Sequence, residues 1–495
     1  MDGGGLSMEN EQHPLQPRPW KIVAVAAIGA GVQFGWALQF SLLTPYVQLL
    51  GISHKWSSFI WLCGPISGLV VQPLAGYYSD RCTSRFGRRR PFIAAAAALV
   101  TFGAILIGFA ADIGRLAGDQ LGHTTKPRAI SIFIVGFWVL DVANNMLMAP
   151  CRAFLADLSA EDQRKTRNAN AAYSFFCSAG NVLGCAAGSF SHLHNLFPFA
   201  STKACDVYCA NLKSCFLISV TLLLILTTLA LTTVREEAIV IEGIEKNGKT
   251  AAFFKELFSA LKEFPRSMWI LLLVASVNSL GWFSFLLYDT DWMGREVYGG
   301  AVGGKLYDSG VQAGSLGLML NSAVAGATAM AVVLVARGVR GGNRLWGCSN
   351  ILLAVCMAGT VWITKVAQSY RRHAAASSGG STPSPPAPGV KAAALILFAV
   401  LGIPQAVNST IPYALASIYS CTFGGGQGLS IGVLNISLVI PQLLLSLTSG
   451  PWDEVFGGGN LPSFVVGAIA AAASGFLALT LLPSPPRPED HQLLA

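Results

Sequence analysis

The sequence predicts an all-α integral membrane protein with twelve transmembrane helices in two six-helix halves. The composition is 53% hydrophobic and 12% charged over 495 residues, about half the charged fraction of a typical soluble protein. Apolar stretches of about 20 residues, the length at which a helix crosses a bilayer, recur along the whole chain. The longest polar interruption on one side, residues 234–266, separates the first six stretches from the last six.

The predicted spans are joined by shorter polar connections. In chain order they cover residues 21–43, 56–77, 91–111, 130–152, 168–189, 214–234, 268–289, 311–337, 344–366, 392–418, 428–448 and 461–482. The chain thus divides into a tail of residues 1–20, a first half of residues 21–234, a central loop of residues 235–266, a second half of residues 267–483 and a tail of residues 484–495.

Two connecting segments have patterns of their own. Residues 253–264 in the central loop have the amphipathic pattern of a helix that lies on a membrane surface. Residues 374–389 are rich in Ala, Ser, Pro and Gly, which predicts an external loop without regular structure.

The basic residues determine the predicted orientation. With both termini in the cytosol, roughly 20 Lys and Arg side chains lie on the cytosolic side and about 12 outside, in agreement with the positive-inside rule. The same rule explains the net charge of +8, so the lipid bilayer is the expected partner and nucleic acid is not. The N-terminus is polar up to Trp20 and the apolar run after it has full span length, so no cleavable signal peptide is expected.

The fourth span carries polar residues that a lipid-facing helix would not carry. Asp141, Asn144, Asn145 and Arg152 lie on or near one stripe of the helix. Roughly 16 Å of helix axis separates Asp141 from Arg152, so the two charges are not expected to neutralise one another directly. Because a charge at membrane depth costs at least ~2.5 kcal/mol, the residues need a role. Two interpretations stay open: a proton or substrate site facing a water-filled cavity, and an interhelical ion-pair clamp.

The two halves carry a weak internal repeat. Residues 33–44 in span one and residues 279–290 in span seven share a Gly-Trp pair at corresponding positions, Trp36 and Trp282 being its aromatic members. Two repeated six-helix halves are typical of transporters that rock around a site near the middle of the membrane.

The loop after the second span combines an acid, several bases and glycines at defined spacing. It reads Gly76-Tyr-Tyr-Ser-Asp80-Arg81, followed by Gly87-Arg88-Arg89. This resembles the loop motif of the major facilitator superfamily, in which G-x-x-x-D-R precedes G-R-R, and the resemblance implies the major facilitator fold. We expect Asp80 to pair with guanidinium groups and to cap the next helix, which would form a cytosolic latch. We expect Gly76 and Gly87 to permit a close approach and a tight turn. A plain positive-inside excess explains the Arg residues but not Asp80 and the glycines.

Longer segments resemble the plant sucrose–proton symporters. They are residues 51–68 (GISHKWSSFIWLCGPISG), 140–145 (LDVANN), 150–157 (PCRAFLAD), 288–298 (YDTDWMGREVY), 401–404 (LGIP) and 450–454 (GPWDE). The implied activity is the uptake of sucrose, with related glucosides as further candidate substrates, coupled to one proton by alternating access. Ser53 replaces a common Pro, and Met146-Leu-Met148 replaces a more polar stretch. We expect the plasma membrane, with the vacuolar membrane as the alternative.

The resemblance also implies roles for individual residues. Asp141 is implied to accept the proton and to meet sugar hydroxyls, and Arg152 to be essential for binding or coupling. His54 is implied to contribute to sugar recognition, although a lone His there also fits a hydrated loop. Gln39, Asn144 and Asn145 are candidates to hydrogen-bond sugar hydroxyls. Trp36 and Trp282 are candidates to stack on a pyranose ring, whereas many membrane Trp residues only pack or anchor.

Four charged residues at the end of span seven match positions on which the family depends. They are Asp289, Asp291, Arg295 and Glu296. Direct contact with sugar and a self-satisfied salt-bridge cluster at an external helix end are both open interpretations.

The remaining motifs carry little chemistry. Cys205 and Cys209 lie in a predicted external loop, where a disulfide and two free thiols are both open. No metal-ligand spacing and no nucleophile–base arrangement is apparent, so neither a metal, another cofactor nor an enzyme is expected. The alternatives to a symporter are a transporter-like sugar sensor and an uncoupled sugar facilitator. A sensor is disfavoured by the short central loop, and a facilitator by Asp141.

Overall fold

The computed structural model describes most of the apolar chain and few of its polar connections. The described residues are 19–43, 46, 50–51, 63–120, 126–159, 163–189, 193–234, 236, 261–301, 304–335, 341–378, 385–423, 426–455 and 459–483. His54, most of the central loop and both polar tails lie outside these ranges. The division of the chain into tails, halves and central loop therefore stays a prediction at its exact boundaries.

Twelve helices of at least 18 residues are present in the described part of the chain. They are α1 Pro19–Leu38, α2 Cys63–Asp80, α3 Arg90–Gly108, α4 Pro127–Asp157, α5 Gln163–Ser189, α6 Val207–Thr233, α7 Arg266–Trp292, α8 Lys305–Val335, α9 Gly342–Ser378, α10 Pro388–Phe423, α11 Gln427–Val455 and α12 Leu461–Thr480. Each of the twelve predicted spans coincides with one of these helices.

Ten of these helices are apolar enough to be candidate membrane spans on length and composition. The other two are α2 and α5, which keep polar side chains such as Gln72 and Asn170 buried inside the bundle. Part of their low hydropathy therefore comes from polar residues that face other helices, and in α5 another part comes from the charged first turns, residues 163–167. The twelve-helix expectation is confirmed by the architecture.

Several helices are longer than the apolar runs that predicted them. The fourth predicted span is residues 130–152, whereas α4 extends from Pro127 to Asp157. The helix α9 continues to Ser378, so the first residues of the supposed irregular loop 374–389 are helical, and that part of the prediction is wrong. Hydropathy marks only the lipid boundary, while backbone hydrogen bonding continues into the water layer.

The two halves repeat the same packing. In the first half α1 packs on α5 and α6, α3 packs on α4 and α6, and α2 packs on α4. The second half has the same pairs with six added to each number: α7 with α11 and α12, α9 with α10 and α12, and α8 with α10. The halves meet where α2 packs on α11 and where α5 packs on α8 and α10. The weak repeat around Trp36 and Trp282 thus belongs to α1 and α7, which are equivalent elements.

The helices define two ends of the bundle. Successive helices run in opposite directions, so Asp80 at the end of α2 and Asp157 at the end of α4 share one end, which we call the Asp80 end. Cys205 precedes α6 at the opposite end, which we call the Cys205 end. Large apolar clusters fill the interior of each half between these ends.

Candidate functional site

Asp141 lies in the middle of α4 and faces α2. Its carboxylate is 5% exposed and accepts a hydrogen bond from the Ser67 hydroxyl. The Asn145 amide, one turn along α4, donates to the Ser67 oxygen at 2.9 Å and to the backbone oxygen of Asp141 at 3.0 Å. The Gln72 amide donates in turn to the Asn145 oxygen at 2.7 Å. A buried carboxylate is therefore held at the α2–α4 contact by neutral hydrogen-bond donors.

Arg152 lies about three turns beyond Asp141 along α4 and faces α5 and α10. Its guanidinium carbon is 3.5 Å from the centre of the Tyr413 ring and 4.5 Å from that of the Tyr173 ring. One guanidinium nitrogen also donates to the Ser409 carbonyl at 3.3 Å and to the Asn170 side chain at 3.4 Å. Arg152 thus joins the first half to α10 of the second half through aromatic faces and a carbonyl.

Asp141 and Arg152 have no ionic partner among the described residues. Among the described residues, no basic nitrogen lies within 4.0 Å of the Asp141 carboxylate, and no carboxylate oxygen lies within 4.0 Å of Arg152. The prediction that they do not neutralise one another is confirmed. The described residues give no support to the interpretation of this pair as an interhelical ion-pair clamp.

Other predicted sugar contacts have buried polar atoms that lack a hydrogen-bond partner among the described residues. These are the Trp36 indole nitrogen, the Gln39 amide nitrogen and the Asn144 amide nitrogen, all in the first half. Asn144 and Gln39 are 2% and 3% exposed, so these donors are sheltered from bulk water. Trp282, in the second half, packs against Phe285 with ring centres 6.1 Å apart.

The four charged residues at the end of α7 do not act as one group. Asp291 accepts from Arg295 at 3.0 Å, from the Tyr307 hydroxyl at 2.7 Å and from the Asn460 amide at 2.7 Å. Glu296 accepts from the Asn460 backbone N–H at 3.4 Å. This geometry favours the self-satisfied cluster for Asp291, Arg295 and Glu296.

Asp289 stands apart from that cluster. It is 5% exposed and accepts the backbone N–H of Thr290. No basic side chain among the described residues pairs with it. Its environment resembles that of Asp141 more closely than that of its neighbours in the sequence.

The Asp80 end holds a charged network centred on Arg89. The Arg89 side chain is fully buried and pairs with Asp80 and, at 2.9 Å, with Asp157. Burial alone would lower the pKa of Arg89, but the two carboxylates raise it above its usual value. Arg88 pairs with Asp157 at 2.6 Å, so the ends of α2, α3 and α4 are tied together. Arg81, in contrast, lies over the Tyr77 ring, 4.0 Å from its centre.

The capping role of Asp80 differs from the prediction. Asp80 accepts the backbone N–H groups of Gly428 at 3.1 Å and Leu429 at 2.9 Å, at the start of α11 in the other half. The start of α3 is instead met by Glu236, which accepts the Arg89 N–H at 2.8 Å. The expectation that Asp80 caps the next helix is wrong, because the N-terminus nearest to it belongs to a helix 348 residues away in sequence.

The motif glycines permit close contacts at this end. A Cβ atom on Gly76 would lie 2.2 Å from the Gly428 carbonyl oxygen, so only glycine allows α2 and α11 to touch there. Gly87 has φ +100°, in the left-handed region that favours glycine, and closes the turn before α3. Both positions match their expected roles of close approach and tight turn.

The structure contains a disulfide between Cys205 and Cys209 at the Cys205 end. Within the described residues, no group of three or more His, Cys, Asp or Glu side chains could hold a metal ion.

Sequence reasoning missed four contributors to these sites. Ser67 and Gln72 are visible in the sequence only as polar residues in or near the second span. Asn435, whose amide donates to the Gly68 carbonyl at 3.0 Å, is visible only as part of an Asn-x-Ser sequon inside the eleventh span. Glu236 gave no signal in the polar central loop. Each of them makes its contact with a residue at least 73 positions away in the sequence.

Comparison with known proteins shows similarity along the whole chain. Residues 25–370 match the profile of the Major Facilitator Superfamily. The chain is 50% identical to the sucrose transport protein SUC4 of Arabidopsis thaliana, over 93% of this chain and 90% of that protein. It is 45% identical to the sucrose transport protein SUT2 of Oryza sativa subsp. indica, over 94% and 93%. Among solved structures, the proton:xylose symporter XylE superposes with a TM-score of 0.62 at 14% identity, covering 96% of this chain and 98% of that one.

Proposed function

Because the chain belongs to the Major Facilitator Superfamily, and within it to the plant sucrose transport proteins, we propose that it carries sucrose across a membrane together with one proton. The single observation that carries the proton coupling is Asp141, a buried carboxylate without a basic partner among the described residues. It lies on α4, beside the contact between the two halves. The protein is a transporter and not an enzyme.

A buried acid is what links a neutral sugar to an ion gradient. The membrane voltage exerts no force on sucrose itself. One proton moving down ~150 mV gains about 3.5 kcal/mol, and two pH units add about 2.7 kcal/mol. The sum supports about four decades of sugar accumulation. The carboxylate of Asp141 would take the proton when it is open to the acidic side and release it on the other side.

The sugar would bind beside this carboxylate. The unpartnered donors of Trp36, Gln39 and Asn144 suit sugar hydroxyls, which accept and donate hydrogen bonds. In its ionised form, Asp141 would accept a hydrogen bond from a sugar hydroxyl. Arg152 would hold α10 against the first half until the site is loaded. His54, outside the described residues, stays a candidate for recognition at the external mouth.

We place the Asp80 end in the cytosol and the Cys205 end outside. The Asp80 end carries the Arg-rich loop, in line with the positive-inside rule. The Cys205–Cys209 disulfide suits an oxidising compartment, which the cytosol is not. The plasma membrane is our proposed location. The vacuolar membrane remains the alternative, and a fluorescent fusion imaged in plant cells distinguishes the two.

The Asp80 network would be the latch that closes the cytosolic side. Asp80 bridges the two halves by joining Arg89 to the start of α11, and the Gly76–Gly428 contact brings α2 and α11 together. When these contacts form, the halves can separate only at the Cys205 end. When they break, the site opens to the cytosol, as alternating access requires.

The test is the sucrose-evoked current in a cell that expresses the protein. The wild type is expected to give an inward current at external pH 5 that shrinks as the pH rises. Asp141→Asn, which cannot take up a proton, should abolish the current at equal surface expression. Asp308→Asn, which removes an exposed carboxylate, is the matched control and should behave as the wild type. Full pH-dependent current in Asp141→Asn rejects the proposal, and sucrose uptake without current in the wild type supports a facilitator.

A further inference from the structure

The hydroxyl of Ser67 has more hydrogen-bond acceptors than protons. Its oxygen lies within hydrogen-bond distance of the Asp141 carboxylate and, at 3.0 Å, of the Gly64 carbonyl on its own helix. A hydroxyl has one proton and can donate to only one of these oxygens at a time. Ser67 therefore has two alternative states, one bonded to α4 and one bonded back to α2.

A directed chain of donors leads to this choice. Gln72 donates to Asn145, Asn145 donates to Ser67, and Ser67 donates to Asp141. All three donors point toward the carboxylate, an arrangement that suits its ionised form because hydrogen bonds in a chain polarise one another. The Asn145 amide also lies 3.4 Å from the same carboxylate.

No basic side chain in the described ranges offers Asp141 an alternative to this chain of hydrogen bonds. Among the described residues of the helices around α4, no basic side chain pairs with Asp141, and Arg152 faces α5 and α10. Within the part of the chain that the structure describes, the titratable group next to Asp141 is the Cys63 thiol of α2. Protonation of Asp141 therefore mainly changes its hydrogen bonds with Ser67 and Asn145.

The residue after Ser67 connects α2 to the other half. The Gly68 carbonyl accepts a hydrogen bond from the Asn435 amide of α11 at 3.0 Å. A Cβ atom on Gly68 would lie 3.4 Å from the Asn145 oxygen and 3.7 Å from the Asn435 nitrogen, so α2, α4 and α11 are in contact around one residue. Two successive residues of α2 therefore contact the proton site and the opposite half.

We propose that the Ser67 hydroxyl is a hydrogen-bond switch that links the proton on Asp141 to the α2–α11 contact at Gly68 and Asn435. When Asp141 is ionised, Ser67 donates to it and ties α2 to α4. When Asp141 takes up a proton, its new O–H donates to the Ser67 oxygen, and Ser67 turns its own proton to the Gly64 carbonyl. Only the O–H bond of the carboxyl is made or broken. Ser67 is a positioning residue, and its role rests on the proposed proton-coupled transport.

The test compares the pH dependence of the sucrose-evoked current in Ser67→Ala and the wild type. The alanine removes a donor to the ionised carboxylate, so Asp141 should bind its proton more tightly. The pH of half-maximal current is expected to move about one unit toward alkaline pH, a tenfold change in apparent proton affinity. Ser67→Thr keeps the hydroxyl and should restore the wild-type midpoint.

The matched control is Ser474→Ala. Ser474 is a fully buried helical serine that donates to a carbonyl three residues back, as Ser67 does, but faces no carboxylate. Its midpoint should equal that of the wild type. If Ser67→Ala reaches the membrane with an unshifted midpoint, the switch is rejected. If Ser67→Ala fails to reach the membrane, Gln72→Leu decides, because loss of the far donor should shift the midpoint in the same direction by a few tenths of a unit.

The link to α11 is tested by a double-mutant cycle with Asn435→Leu. If both residues act on one coupled element, the midpoint shift caused by Ser67→Ala should be at least halved in the Asn435→Leu background. Shifts that simply add would reject the link. A wild type without any pH-dependent sucrose current would instead reject the proposed function, so the two failures are distinguishable.

Discussion

Arg152 shows how aromatic rings and a carbonyl can hold a charge inside a membrane bundle where the described residues offer no counter-charge. The Tyr413 and Tyr173 rings present their negative faces to the guanidinium, and the Ser409 carbonyl accepts a hydrogen bond from it. A desolvated cation–aromatic contact is worth about 2 kcal/mol. Because Tyr413 and Ser409 belong to α10, these contacts connect the two halves and must change when the halves move.

The planar shape of Arg152 is therefore expected to matter as much as its charge. Arg152→Lys keeps the charge but loses the stacked guanidinium, so the maximal rate of sucrose uptake should fall about tenfold or more at equal surface expression. Tyr413→Phe keeps the aromatic face and should transport at nearly the wild-type rate. Wild-type uptake in Arg152→Lys, measured as the initial rate with labelled sucrose, contradicts this account of the residue.

At the scale of elements, the proposed latch depends on the contact of α2 with α11. The two helices touch backbone to backbone at Gly76 and Gly428, and Asp80 then accepts the first N–H groups of α11. The carboxylate thereby meets the positive end of the α11 dipole. The proposed latch thus combines a close steric fit with an electrostatic contact at the same place.

A methyl group on Gly76 should keep this latch from closing. Gly76→Ala places a carbon 2.2 Å from the Gly428 oxygen, so α2 and α11 must move apart and steady-state sucrose uptake should fall at least tenfold. Gly389→Ala is the matched control, since a Cβ there meets nothing within 4 Å, and it should leave uptake unchanged. Equal uptake in the two variants shows that the close approach is not needed.

The start of the central loop is attached to the same network through Glu236. This carboxylate accepts the N–H groups of Arg89 and Arg90 and lies 3.6 Å from Arg88. Burial raises its pKa above 4.5, against the lowering effect of these donors. In the folded protein Glu236 therefore takes up a proton at a higher pH than in the unfolded chain.

This shift predicts a pH-dependent stability difference. As the pH falls through the raised pKa of Glu236 toward 4.5, the folded state binds the proton first and gains stability. Glu236→Gln is neutral at every pH and lacks this gain, so its Tm relative to the wild type should decrease as the pH falls through that range. Thermal unfolding of the purified protein measures the difference. Asp308→Asn, at an exposed position, should track the wild type, and a pH-independent difference for Glu236→Gln contradicts the prediction.

At the scale of the whole molecule, hydropathy was sufficient for the architecture but not for the contacts. Each predicted span became a helix, and the polar stripe of α4 pointed to Asp141 and Arg152. The partners of those residues could not be predicted from the sequence, because Ser67, Tyr413 and Ser409 come from distant helices. Periodicity identifies the face of a helix, whereas the identity of the facing helix depends on the packing of the whole bundle.

The Asp80 motif likewise has features that the sequence predicts and a partner that it does not predict. Its residue types and spacing predicted an ion pair with Arg and a close approach at glycine, and both are present. The helix that Asp80 caps was predicted wrongly, since chain order favours α3 and only the assembled halves bring α11 to the carboxylate. Local sequence thus predicted the chemistry of the latch, but not the element that it holds.

The two equivalent halves form a molecule in which one proton is expected to cross with each sucrose. This stoichiometry is tested most directly by the reversal potential of the sucrose-dependent current under imposed gradients. Transport of one proton with one sucrose predicts a shift of about 59 mV for each tenfold change in the sucrose gradient and about 59 mV for each pH unit. A reversal potential that does not respond to the sucrose gradient, or a wild type that passes sucrose without current, would contradict proton-coupled transport through Asp141.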